Sequence, residues 1–217
     1  MKKEEEKVYK EVYKVNPIVI YPECILEKGI QDDCFKCDKK ANCLSPRSMC
    51  INPYKDHKYG CPNYGRVPTC PPQMPCMFDQ VFDMSDVYAI VTRFYLEQYF
   101  RDRRLLYPNV TEGMLRSNRY WQPKTISEND TAIRDYFLEN PDKKDYVSTR
   151  FLECMGVDVV GTMKEVGIEL KFPPGEIVYR IAFVAKAYED VLEKYDFEVF
   201  EPKTDKKNGI RTLIKKR

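Results

Sequence analysis

The stretch DVYAIVTRFYLE, Asp86 to Glu97, decides the fold class, because β-branched and aromatic residues fill it in rough alternation, the pattern of a half-buried strand. IVYRIAFVA, Ile177 to Ala185, reads the same way, and the two are expected to be neighbours in one sheet.

Helices are expected between and after these strands. Ser127-Glu128-Asn129-Asp130 has the form of an N-cap with an acidic residue three positions on. It leads into TAIRDYFLEN, which Pro141 terminates, with Ile133, Tyr136 and Phe137 on the buried face. Asp158 is placed to cap a second helix through Glu165, with Gly167 as its stop, then a short strand and a turn at Pro173 to Gly175. Glu198 to Glu201 and Ile210 to Ile214 are read as pairing across a loop that holds Asn208-Gly209, a turn signal. No strict βαβ rhythm and no glycine-rich phosphate loop appears. The fold class expected is therefore α+β, a mixed or antiparallel sheet with packed helices, plus an N-terminal cysteine-rich loop subdomain. Residues 1–80 form the cysteine-rich region and 81–217 the α+β domain, the two packing as one domain or as two.

The 217 residues are enough to bury a core without help from a metal, and sixteen tyrosines and eleven phenylalanines supply its volume. A hydrophobic share of 43% against 32% charged excludes global disorder. Met1 to Lys7 is a charge run rather than a signal peptide, and the longest apolar segment, Val87 to Leu96, contains Arg93. The expectation is a cytoplasmic protein with no membrane partner. Net charge is +2, but Lys203 to Arg217 holds seven Lys or Arg against one Asp, which leaves −4 for the rest. A solvated tail is the reading of that run, rather than a nucleic-acid arm.

Nine cysteines in a reducing compartment need a reason, because structural disulfides are rare there. Eight of them, Cys24, Cys34, Cys37, Cys43, Cys50, Cys61, Cys70 and Cys76, fall within 53 residues. The same window is crowded with Pro and Gly, so neither helical nor strand periodicity can order it. Thiolate–metal bonds can, since each fixes a loop and binding free energy becomes folding free energy. In CFKC, Cys34 and Cys37 put two thiolates on one turn and Cys43 follows; either Cys24 or Cys50 completes a first site. Cys61, Cys70 and Cys76, with Cys50, make a second.

All-thiolate ligation is the habit of iron–sulfur clusters, whereas zinc mixes Cys with His. The one histidine, His57, is read as a surface residue of a polar loop. Cys61-Pro62 and Cys70-Pro71-Pro72 share the Cys-Pro ending of bacterial ferredoxin loops, although the full ferredoxin run is absent. One or two iron–sulfur clusters of the 4Fe-4S type are the first expectation, with zinc as the alternative. Cys154, in STRFLECMGVDVV, is read as a packed thiol on a helix with Phe151, Leu152 and Met155 buried.

Three stretches resemble the domain-of-unknown-function family numbered 2284, whose members are labelled predicted metal-binding proteins. Cys50 to Pro72, CINPYKDHKYGCPNYGRVPTCPP, is similar to its cysteine, C-P-x-Y-G and C-P-P series. ECMGVDVVGTMKEVGIEL resembles its E-x-x-G-I-D-V segment at Glu153, Gly156, Val157, Asp158 and Val159, with Gly167 and Ile168 following. CFKCDKKANCLSP, Cys34 to Pro46, is similar to its C-x2-C element, although here it precedes the other two. The resemblance implies metal binding and no particular reaction.

The function expected is thus an iron–sulfur protein with an electron-transfer or accessory role, whose partner is a protein redox partner or a partner enzyme. A structural zinc protein is the second reading, with Arg101, Arg103, Arg104, Arg116 and Arg119 beside Tyr107, Tyr120 and Trp121 as its contact surface for protein or nucleic acid. A third is a metal-dependent enzyme on a small anionic substrate, lined by Thr69 to Pro72 and the same arginines, with no nucleophile–base pair to nominate. CFKC has the C-x2-C form of a thiol-redox motif but lacks a thioredoxin-like βαβ pattern around it.

Overall fold

The computed structural model describes residues 9–22, 43–53, 57–67, 70–72, 77–172 and 174–190, and the backbone of 197–200 and 212–215. Its centre is a six-stranded mixed sheet in the order β1-β2-β4-β3-β6-β5. The strands are β1 (Lys10–Val15), β2 (Val87–Tyr95), β3 (Tyr146–Thr149), β4 (Ile177–Lys186), β5 (Phe197–Phe200) and β6 (Thr212–Lys215). The helices are α1 (Phe78–Val81), α2 (Leu96–Leu106), α3 (Glu112–Arg116), α4 (Asn118–Glu139) and α5 (Val159–Glu165). This is the α+β class read from the sequence.

β2 and β4 pair antiparallel from Tyr88↔Val184 to Tyr95↔Ile177. Both are interior strands, which is why their apolar runs are nearly continuous rather than strictly alternating. On one face, Ala89, Val91, Phe183 and Ala185 meet Phe78, Val81, Met155, Val157 and Met163. On the other, Ile90, Ala182 and Val184 meet Ala132, Ile133, Tyr136 and Phe137 of α4. A third cluster closes the far end of the sheet, where Phe94 packs with Leu96, Phe100 and Leu115.

β1 pairs with β2 along its length, from Lys10↔Thr92 to Val15↔Val87, and Arg93 binds Glu11 across the pair at 2.7 Å. The sheet therefore draws on residues from both sides of position 80. β3 pairs antiparallel with the last four residues of β4 and parallel with β6, while β5 and β6 are antiparallel. Among the described residues no helix is long and apolar enough to cross a membrane.

Two local expectations are corrected. The long helix begins at Asn118, not at Ser127, and runs to Glu139 with Pro123 inside it. Trp121 stacks on Phe94 at 6.5 Å, and Thr125 and Asn129 are buried against the sheet, so tertiary packing extends the helix beyond its apolar stripe. The strand expected after Gly167 is absent among the described residues, and residues 168–172 run as irregular chain. The Asp158 cap stands as read: its Oδ1 accepts from the Gly161 N–H at 2.9 Å, and Gly167 has φ +81°.

A polar clasp links the end of β1 and the starts of β2 and β3 across the sheet. The Asp86 carboxylate accepts from Lys143 at 2.5 Å, Tyr146 at 2.5 Å and Tyr88 at 2.8 Å, and Lys14 lies at 3.0 Å. These donors hold the Asp86 carboxyl well below the usual carboxylate range, Lys143 foremost and then Tyr146.

Candidate metal centre

Cys50 lies in a 3₁₀ turn, Pro46–Ile51, which Ser48 stabilises by donating its hydroxyl to the carbonyls of Ser45 at 2.8 Å and Cys43 at 3.0 Å. The chain then returns, and the Cys61 N–H donates to the Cys50 carbonyl at 2.7 Å. Gly60 makes that return possible. Its φ is +81°, and a Cβ there would fall 2.5 Å from the Cys50 carbonyl oxygen and 2.8 Å from the Ile51 backbone. A second turn follows, in which the Cys70 N–H donates to the Val67 carbonyl at 2.9 Å and the Gly65 N–H to the Pro71 carbonyl at 2.8 Å.

Cys154 reaches the same place from the other side. It occupies a 3₁₀ turn, Glu153–Met155, that packs against the turn carrying Cys50. Leu152 and Met155 anchor this turn in the core, and Gly156 ends it in the left-handed conformation, φ +78°. Residues 18–20 strap it down: the Ile20 N–H donates to the Gly156 carbonyl and the Asp158 N–H to the Ile18 carbonyl, both at 2.8 Å. The expected helix at Phe151 to Met155 is thus a single tight turn, because Gly156 reverses the chain after one turn.

The thiols of Cys70 and Cys154 are hydrogen-bonded, and Cys50 lies near enough for its charge to act on Cys154. Cys70 is lowered to about 7 by the Cys154 hydrogen bond, which outweighs its burial. Cys154 is pushed up by that same bond, by burial, and by the negative charges of Cys70, Cys50 and Glu153. The pair is best described as one sulfur poised as thiolate and a second that holds its proton and donates to it.

Cys43, Cys50, Cys61, Cys70 and Cys154 are all half-buried thiols. Of the sequence-predicted ligands, Cys70 lies beside Cys154, and Cys50 is within electrostatic reach of it. Cys61 is tied to Cys50 through the backbone and lines a cleft of about 450 Å³ with His57, Tyr64 and Arg66. Cys43 sits at the entry to the first turn. Cys24, Cys34, Cys37 and Cys76 lie outside the described residues, as does Thr69. Among the described residues no three or more His, Cys, Asp or Glu side chains stand close enough to cage a metal ion as they are. In kind, the donors of Cys50, Cys61, Cys70 and Cys154 match what zinc or an iron–sulfur cluster takes.

Cys154 is the residue that sequence spacing hides, since it stands far from the other eight. The signal available for it was its place in the ECMG stretch that carries the family resemblance. Of the arginines nominated as a contact surface, Arg104 and Arg116 pair with Glu112 at 2.6 and 2.7 Å, Arg103 lies over Tyr107 and Arg101 donates to Gln98 at 2.7 Å, whereas Arg119 stands exposed at the start of α4. No family model, curated protein or solved structure matches this chain.

Proposed function

We propose that this chain is a metal-binding protein whose thiolates Cys50, Cys61, Cys70 and Cys154 hold an iron–sulfur cluster. Its role on this reading is electron transfer to a protein redox partner or support of a partner enzyme, in the reducing cytoplasm where nine thiols persist. The observation that carries the reading is the meeting of Cys70 with Cys154, beside Cys50, from three separate turns. Packing alone scatters cysteines; here Gly60 shapes the turn between Cys50 and Cys61, and Gly156 ends the turn that carries Cys154. When bound, the cluster supplies one-electron chemistry, and the protein supplies donors, burial and the loops that exclude water. The likeness of Cys50 to Pro72 and of the ECMG stretch to family 2284 points the same way.

A structural zinc site is the second reading, and the shared cleft of Cys61 and His57 is what favours it. Anaerobic purification followed by iron, zinc and acid-labile sulfide analysis separates the two. The cluster reading predicts iron and sulfide in equal amounts with a broad absorbance near roughly 400 nm. Zinc without sulfide would replace it with the second reading, and protein free of both metals would end both.

A further inference from the structure

We infer that a pocket beside β4 binds a small organic anion, with its charged head on Arg150 and Arg180 and an apolar body against Leu152, Val159 and Leu170. This inference does not depend on the metal reading.

β4 outlasts its neighbour. β3 pairs only with Phe183 to Lys186, so among the described residues the edge of β4 from Ile177 to Ile181 has no strand beside it. A pocket of about 240 Å³ opens there, with apolar walls that include Leu152, Val159 and Leu170; Arg150, Lys171 and Arg180 also line it, as does Glu153, whose carboxyl is pushed up toward its neutral form by burial. That volume suits a ligand of small-metabolite size rather than a polymer.

The arginines are arranged as a receptor rather than as a solvated surface. Arg150 is held by its Nε, which donates to the Asn129 side chain at 3.0 Å, and by an ion pair with Asp130. Asn129 is fully buried and uses its own amide to donate to the carbonyls of Ile90 at 3.4 Å and Arg180 at 3.3 Å. The fork of Arg150 is thereby fixed against the sheet. Arg180 has the opposite condition. Its Nε is buried without a hydrogen-bond partner, and among the described residues no carboxylate forms an ion pair with it. Glu153, on the same pocket, and Asp130 attract it without pairing with it, while Arg150 is near enough to repel it.

Two guanidiniums brought together, one of them with an unmet buried donor, cost stability that an anion between them offsets. Planar forks of this kind recognise carboxylates through paired N–H donors. The apolar walls add a requirement that inorganic anions do not meet, so the ligand class is a carboxylate on a compact apolar body.

Equilibrium dialysis of the full chain with radiolabelled benzoate tests this, with unlabelled benzyl alcohol and inorganic phosphate as competitors. The expected result is saturable binding of one benzoate per chain, displaced by unlabelled benzoate and at least about tenfold less well by either competitor. Arg180→Gln should weaken benzoate at least about tenfold while keeping the far-ultraviolet circular dichroism of the parent. No saturable binding by the unaltered chain overturns the inference without any variant. Competition by benzyl alcohol as strong as by benzoate overturns the assigned head, and competition by phosphate as strong overturns the assigned body.

Discussion

The β2–β4 pair and the cysteine turns are ordered by different physics. In the strands, eight consecutive residue pairs hold register, and Ala89, Ile90, Val91, Ala182, Phe183 and Val184 are wholly inaccessible to solvent. In the described residues between Cys43 and Pro72, order comes from short backbone turns, one left-handed glycine against a carbonyl, and the interaction of the Cys70 thiol with Cys154. The first region would survive many conservative changes, because burial is a sum over many atoms. The second depends on a few atoms each, and the turn that carries Cys154 packs against it from the sheet side.

The largest effect is expected where burial is densest. Phe183 is fully buried and meets Phe78 edge-on at 5.8 Å, so Phe183→Ala should cost about 3–5 kcal/mol in urea unfolding. Next comes the loop side. Gly60→Ala forces a Cβ against the Cys50 carbonyl at positive φ, and should cost about 1–3 kcal/mol while lowering bound metal. If Gly60→Ala lost stability but kept full metal, the turn and the thiol group would be independent, and the contrast drawn here would be too coarse.

The Asp86 clasp lies between these cases, polar but part of the sheet. Asp86→Asn should cost about 1–2 kcal/mol near neutral pH. Its native pKa is depressed, so its contribution is full wherever the unfolded carboxyl is also fully ionised, above about pH 5, and drains away as pH falls further. Urea midpoints of parent and variant should therefore differ by a constant amount from neutral pH to about pH 5, then converge at lower pH. The smallest effect is expected at Glu112, an exposed carboxylate shared by Arg104 and Arg116. Glu112→Gln should leave the urea midpoint unchanged within error.

The same contrast explains what could be read from the sequence. Asp86 to Glu97 and Ile177 to Ala185 announced neighbouring strands because β-branched and aromatic residues fill them, and the Asp158 cap was visible because capping is local. β1 was not legible: KEVYKV alternates, but its Lys and Glu residues read as a continuation of the charged start. The start of α4 was missed because its buried face passes through Thr125 and Asn129, which a hydrophobic pattern cannot register. In the loops, spacing grouped Cys61, Cys70 and Cys76 with Cys50, yet Cys154 was beyond its reach, because a contact between distant turns leaves no period in the chain.

The proposal that four thiols form one centre is tested most directly by metal and sulfide content per chain in the parent and in Cys154→Ser, both prepared anaerobically. The account predicts that the variant keeps its fold by circular dichroism and loses one metal centre with its share of the visible absorbance. A variant that retains the parent's full metal and sulfide would contradict it.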